Sequence, residues 1–115
     1  MALIKKVLIV DDEPPARTKL KRFLEEAIPH AQILEAGNAH KAIETLETES
    51  PDLLLLDIQM PGMTGLELIE AYGADDLPPL IFTTAYDQYA VAAFEHNAVD
   101  YLLKPFDQER FQKAI

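Results

Sequence analysis

The 115-residue sequence has no cysteine, few bases and no long apolar run. Without cysteine there is no disulfide, no thiolate nucleophile and no thiolate-held zinc. Ten Lys and Arg stand against twenty Asp and Glu, a formal net charge of -10, and no basic run is longer than the pair Lys5 and Lys6. Direct binding to nucleic acid or anionic lipid is not expected, because the phosphate-neutralising charge that drives it is missing. No stretch approaches the roughly 18 to 20 apolar residues that span a bilayer. The N-terminus is charged too early for a secretory signal, so the chain reads as cytoplasmic and not membrane-bound. What is present is ordinary: 49% apolar and 26% charged residues, the balance of a folded globular protein. The length suits one domain with a single core that needs no disulfide or structural metal.

Four short apolar runs punctuate the chain, at residues 6–10 (KVLIV), 52–57 (containing LLLL), 79–84 (PLIFTT) and 99–103 (VDYLL). They are nearly continuous rather than alternating, the pattern of central strands buried on both faces. A weaker fifth candidate is AQILE at 31–35. Between them the period becomes helical. Ala16, Leu20, Phe23, Leu24 and Ala27 share one face, and Ala39, Ala42, Ile43 and Leu46 repeat the spacing behind a possible N-cap at Asn38. Leu66 and Ile69 suggest a shorter helix, Ala90, Ala93 and Phe94 another, and Phe111, Ala114 and Ile115 a last one from about Asp107. Alternating strands and helices predict an α/β fold: one doubly wound, five-stranded parallel sheet with helices on both faces. The strands' C-terminal ends then share one edge, where ligand sites of open α/β sheets form. The last helix ends at Ile115 on an apolar face without a capping glycine, so a longer parent protein is expected.

That edge collects the polar residues. Asp11 and Asp12 follow the first strand, Asp57 ends the third, Thr83 and Thr84 end the fourth and Lys104 follows the fifth. Singly, each has an ordinary explanation. One of Asp11, Asp12 or Glu13 could cap the helix beginning near Pro14. Asp57 could open the turn through Gly62, Thr84 could be a common strand threonine, and Lys104 a solvated charge. Together they pose a problem, since three converging carboxylates repel one another unless a cation lies between them. Mg²⁺ suits oxygen donors and keeps positions for phosphate oxygens. A carboxylate beside Mg²⁺, with an ammonium and a hydroxyl across from it, can act as nucleophile toward a phosphoryl group.

These residues resemble the receiver domain of two-component response regulators along essentially the whole chain, 1–115. The pieces, in order, are the acidic pair of IVDDE, the central Asp of LLLLDIQMPGMTG, the Thr-Ala of FTTAY, and YLLKPF. The resemblance implies a flavodoxin-like, CheY-like sheet of order 2-1-3-4-5. It implies Asp57 as phosphoacceptor, Asp12 as direct Mg²⁺ ligand with Asp11 supporting it, and the main-chain carbonyl of Gln59 as a further ligand. Thr84 and Lys104 would contact the phosphoryl oxygens. Tyr101 would change rotamer with phosphorylation, and Lys104–Pro105 would be cis. Gln59 and Tyr86 would set the lifetime of the phosphoryl group, a bulky Tyr86 slowing hydrolysis. The stretch TAYDQYAVAAFEHNAVDYLLKPFD is similar to receivers of LytTR-type regulators, in which a DNA-binding output domain follows. The implied partners are a sensor histidine kinase and, through the surface from Tyr89 to Phe111, a second copy. The domain would be a signalling phosphoacceptor rather than an enzyme, controlling transcription through an output outside this chain.

Three rivals share parts of this pattern. A phosphatase of the haloacid dehalogenase type needs an Asp-x-Asp pair, and Asp57-Ile58-Gln59 lacks the second acid. A dinucleotide-binding domain needs glycines after the first strand, where Asp11-Asp12-Glu13 would instead repel pyrophosphate. A receiver that acts by interaction alone, without phosphorylation, stays open at this point.

Overall fold

A computed structural model describes residues 4–85 and 100–115. The elements are β1 (Lys6–Val10), α1 (Pro14–Ala27), β2 (Gln32–Ala36), α2 (Ala39–Glu49), β3 (Leu53–Asp57), α3 (Gly65–Tyr72), a 3-10 turn (Ala74–Asp76), β4 (Leu80–Thr84), β5 (Asp100–Leu103) and α4 (Gln108–Ala114). The strands form one sheet of order β2-β1-β3-β4-β5, every pair parallel. This is the predicted α/β fold in the predicted order.

The period of two along each strand divides the core in two. Leu8, Val10, Leu54, Leu56 and Phe82 face one way and meet Ala42 and Leu46 of α2 and Leu68 and Ile69 of α3. Val7, Ile9, Leu53, Leu55, Ile81 and Leu102 face the other way and meet Leu20 and Leu24 of α1 and Phe111 and Ala114 of α4. Right-handed crossovers account for this division. Passing from β1 to β2 moves outward along the sheet, whereas β2 to β3 and β3 to β4 move back, so α1 lies on the face opposite α2 and α3. Leu54, Leu55 and Leu56 are completely buried, each removing apolar surface that contributes about 1.5 to 3 kcal/mol. A strand with water on neither side is why LLLL is continuous rather than alternating.

Two expectations need correction. By its run of residues VDYLL reads as a central strand, but β5 is the edge strand that the order 2-1-3-4-5 makes it, and its Leu103 is 40% exposed. Three apolar or aromatic residues in a row, Tyr101 to Leu103, imitate a buried strand although Tyr101 and Leu103 are only partly covered. The acids after β1 do not cap α1: Glu13 occupies the N-cap position with no side-chain bond, and Pro14 and Pro15 start the helix. Asn38 does cap α2, its Oδ1 accepting from the Lys41 N–H at 2.8 Å. Asp107 caps α4 in the same way through the Arg110 N–H at 2.9 Å. The helix expected around Ala90, Ala93 and Phe94 lies outside the described residues. Among those described, no helix is long and apolar enough to cross a membrane.

Candidate functional site

Because all strands run the same way, the residues that end β1, β3 and β4 and follow β5 meet at one edge. Carboxylate oxygens of Asp11, Asp12 and Asp57 all lie within 4.8 Å of one another. Lys104 crosses from the far side of the sheet to join them, its Nζ 3.0 Å from Asp11 Oδ2 and 3.8 Å from Asp57 Oδ2. With β3 and β4 standing between β1 and β5, and strands about 4.8 Å apart, it takes a long side chain reaching along the edge, met by the Asp11 carboxylate, to close that gap.

Asp57 is 4% exposed. Its Oδ1 accepts the Gln59 N–H at 3.1 Å, and the chain then leaves along the turn toward α3. Burial pushes its carboxyl up to about 6; Lys104 pulls it down, Asp11 raises it, the Gln59 N–H lowers it and Asp12 raises it. A carboxylate that resists its own charge is one that a cation, or an added electrophile, would relieve.

Asp11 is fully buried and every polar atom it has is engaged. Its N–H donates to Ala36 O at 3.1 Å, and its Oδ1 accepts the Glu13 N–H at 2.9 Å. Its Oδ2 accepts from Lys104 and its carbonyl accepts from Arg17 Nη1 at 2.6 Å. Asp12, beside it, is partly exposed. The donor set is all hard oxygen, without nitrogen or sulfur, which fits Mg²⁺ better than a transition metal.

Thr84 is buried at the end of β4, and its carbonyl accepts the Lys104 N–H at 2.6 Å. Thr83 stands beside Asp57 in the β3–β4 register. It is completely buried, and its hydroxyl has no hydrogen-bond partner. Tyr101 is half-buried against the α2–α3 core, and its carbonyl accepts from Arg110 Nη2 at 2.9 Å. Lys104–Pro105 is cis, as expected. Gln59 is exposed next to Asp57, while Tyr86 lies outside the described residues, as does the part of the expected surface from 89 to 99. The structure thus brings together Asp11, Asp12, Asp57 and Lys104, with Thr84 at the same edge and Tyr101 behind it.

Sequence reasoning passed over two contributors. Arg17 reaches back from α1 to the Asp11 carbonyl; its partner is a backbone atom, so no residue pattern marks the pair. Gly65 begins α3 against β3, where an added Cβ would collide with the Asp57 carbonyl oxygen. The neighbouring Thr64-x-x-Glu67 could have been read, since that spacing is a capping box, and both of its bonds form.

Comparison with known proteins agrees with the geometry. The Escherichia coli K12 transcriptional regulatory protein BtsR is 46% identical over 110 residues, covering 96% of this chain and 46% of that protein. A response regulatory protein of Vibrio cholerae is 44% identical over 108 residues, covering 94% of this chain and 46% of its own length. The chain therefore spans a little under half of these curated relatives. Among solved structures, the response regulatory domain of mrkE from Klebsiella pneumoniae superimposes with a TM-score of 0.82 at 29% identity, covering 95% of this chain and 90% of that one. The Vibrio cholerae chemotaxis protein CheY4 shares the fold, with a TM-score of 0.82 at 24% identity, covering 96% and 95%. The family described as the response regulator receiver domain matches residues 7–115, and with nearly the whole chain inside that match and the acids and lysine gathered at the strand ends, this chain belongs to it.

Proposed function

We propose that Asp57 is the phosphoacceptor of this receiver domain. The observation that carries the reading is the environment of its carboxylate: buried, raised to about 6, and 3.8 Å from the Lys104 ammonium. An Asp57 oxygen attacks phosphorus of a phosphohistidine on a sensor kinase, or of a small acyl phosphate. The new P–O bond forms as the old P–N or P–O bond breaks, and the imidazole or carboxylate departs. Lys104 and Thr84 would bear on the transferring oxygens, whose charge spreads in the transition state. Asp11, Asp12, Asp57 and the Gln59 carbonyl would hold Mg²⁺, which when bound supplies charge neutralisation at the phosphoryl oxygens.

The added charge, roughly 1.5 to 2 units by analogy with other phosphorylated side chains, would draw in Thr84 and let Tyr101 change rotamer, altering the surface between Tyr89 and Phe111. Pro105, next to Lys104, holds the turn that leads into α4. We assign that surface to pairing with a second copy, and Gln59 and Tyr86 to the lifetime of the acyl phosphate. In this reading the chain is the N-terminal part of a longer regulator of the LytTR type, acting in the cytoplasm on transcription and catalysing only its own phosphorylation and dephosphorylation. The length of the curated relatives supports the longer protein, and the name transcriptional regulatory protein carried by one of them supports the part in transcription.

The test is intact mass after incubation with acetyl phosphate, with and without Mg²⁺, beside Asp57→Asn. One phosphoryl adduct that needs Mg²⁺ and is lost in the variant is the expected result. A folded protein that takes up none under any condition would make the chain an interaction module instead.

A further inference from the structure

Arg17 stands in the first turns of α1 and has no part in the chemistry above. Its Nη1 donates to the Asp11 carbonyl at 2.6 Å, and its Nε lies 3.3 Å from Glu35 Oε1 on β2. The side chain is 20% exposed. Opposite it is Gly37, where the first atoms an added Cβ would meet belong to this guanidinium, Nη1 at 3.3 Å. The absent side chain at Gly37 leaves the space that Arg17 fills.

The carbonyl that Arg17 holds belongs to the peptide joining Asp11 to Asp12. A peptide unit is planar, so fixing its oxygen fixes the direction in which the Asp12 Cα leaves the strand. The Asp11 N–H is pinned to β2 as well, through Ala36 O at 3.1 Å. Both ends of the Asp11 backbone are therefore tied to the neighbouring strand, one directly and one through Arg17 and Glu35.

We propose that Arg17 is a positioning residue for the divalent-cation site, clamping the Asp11–Asp12 peptide to β2 so that the two acids are already aimed when the ion arrives. This rests on the metal-binding reading above. Charge alone would act in the opposite sense, because a guanidinium this close to the acids repels a cation and its neutral replacement would tighten binding. Geometry and charge thus predict opposite signs.

The test measures Mg²⁺ affinity directly, by amide chemical shifts during titration with MgCl₂, in the parent chain, Arg17→Lys, Arg17→Met and Gly37→Ala. Thermal unfolding in EDTA establishes that each is folded. The two Arg17 variants are expected to bind Mg²⁺ about tenfold more weakly, the loss typical of groups that orient metal ligands. Gly37→Ala, which crowds the guanidinium but keeps its charge, should lose affinity in the same direction and carries the test should Arg17→Met not fold. Parent-like affinity in Arg17→Lys and Gly37→Ala, or tighter binding in Arg17→Met, overturns the inference alone. Failure of the parent chain to bind Mg²⁺ overturns the metal-binding reading and the inference with it.

Discussion

Asp57 carries a free-energy cost that pH should expose. Its carboxyl is raised to about 6 in the folded chain from the ordinary 3.8, chiefly by burial. Between those values the folded state holds a proton that the unfolded state has lost, so stability falls as pH rises through that window, by about 3 kcal/mol in all. Urea unfolding in EDTA at pH 4.5 and 7.5 should show about two-thirds of that fall in the parent chain. Asp57→Asn should lack this contribution and be the more stable protein at pH 7.5; parallel pH profiles for the two would contradict the assignment. Thr83 offers a second measurement at this scale. Its buried hydroxyl has no partner, so Thr83→Val removes an unsatisfied group and should raise stability by about 1 kcal/mol. Uptake of phosphoryl from acetyl phosphate should persist in Thr83→Val and be impaired in Thr84→Val, since only Thr84 is assigned to the phosphoryl oxygens.

At the scale of elements, α3 is placed by Gly65. An added methyl would strike the Asp57 carbonyl oxygen and press on Ile58 Cα at 3.0 Å, so Gly65→Ala must push α3 off β3. The expected cost is about 1 to 3 kcal/mol, with loss of phosphoryl uptake because the atoms displaced adjoin Asp57. An unchanged denaturation midpoint would show that the helix accommodates the methyl. Much of this architecture was legible because a buried strand announces itself: LLLL ending in Asp57, and KVLIV ending before Asp11, mark both the strand and the edge where it stops. Helix starts were legible at Asn38 and Asp107, whose side chains cap by local geometry. What escaped reading depends on pairing across the sheet. The exposure of β5 follows from its place at the end of the strand order, and the unpartnered hydroxyl of Thr83 follows from its burial beside Asp57. Asp52 escaped for the reason Arg17 did: its Oδ2 accepts the backbone N–H groups of Lys5 and Lys6 at 2.9 Å each, and backbone groups carry no signature.

At the scale of the whole molecule, two half-cores share one sheet, so a ligand bound at the edge should stabilise the entire domain as one cooperative unit. Mg²⁺ at a hundred times its dissociation constant is expected to add about 2.7 kcal/mol, roughly 10 °C in melting temperature. EDTA should reverse the gain and Asp12→Asn should abolish it; an equal gain in that variant would place the ion elsewhere. The bridge between Lys104 and Asp11 joins residues 93 positions apart. On the ribosome, then, Asp11 and Asp12 emerge well before their counter-ion. A nascent chain can lay β1 beside β3 while Lys104 is still unmade, leaving three crowded carboxylates with neither the lysine's charge nor its reach. Docking of the fifth strand is what brings that lysine to the acids, so the cluster is assembled only once β5 has joined the sheet.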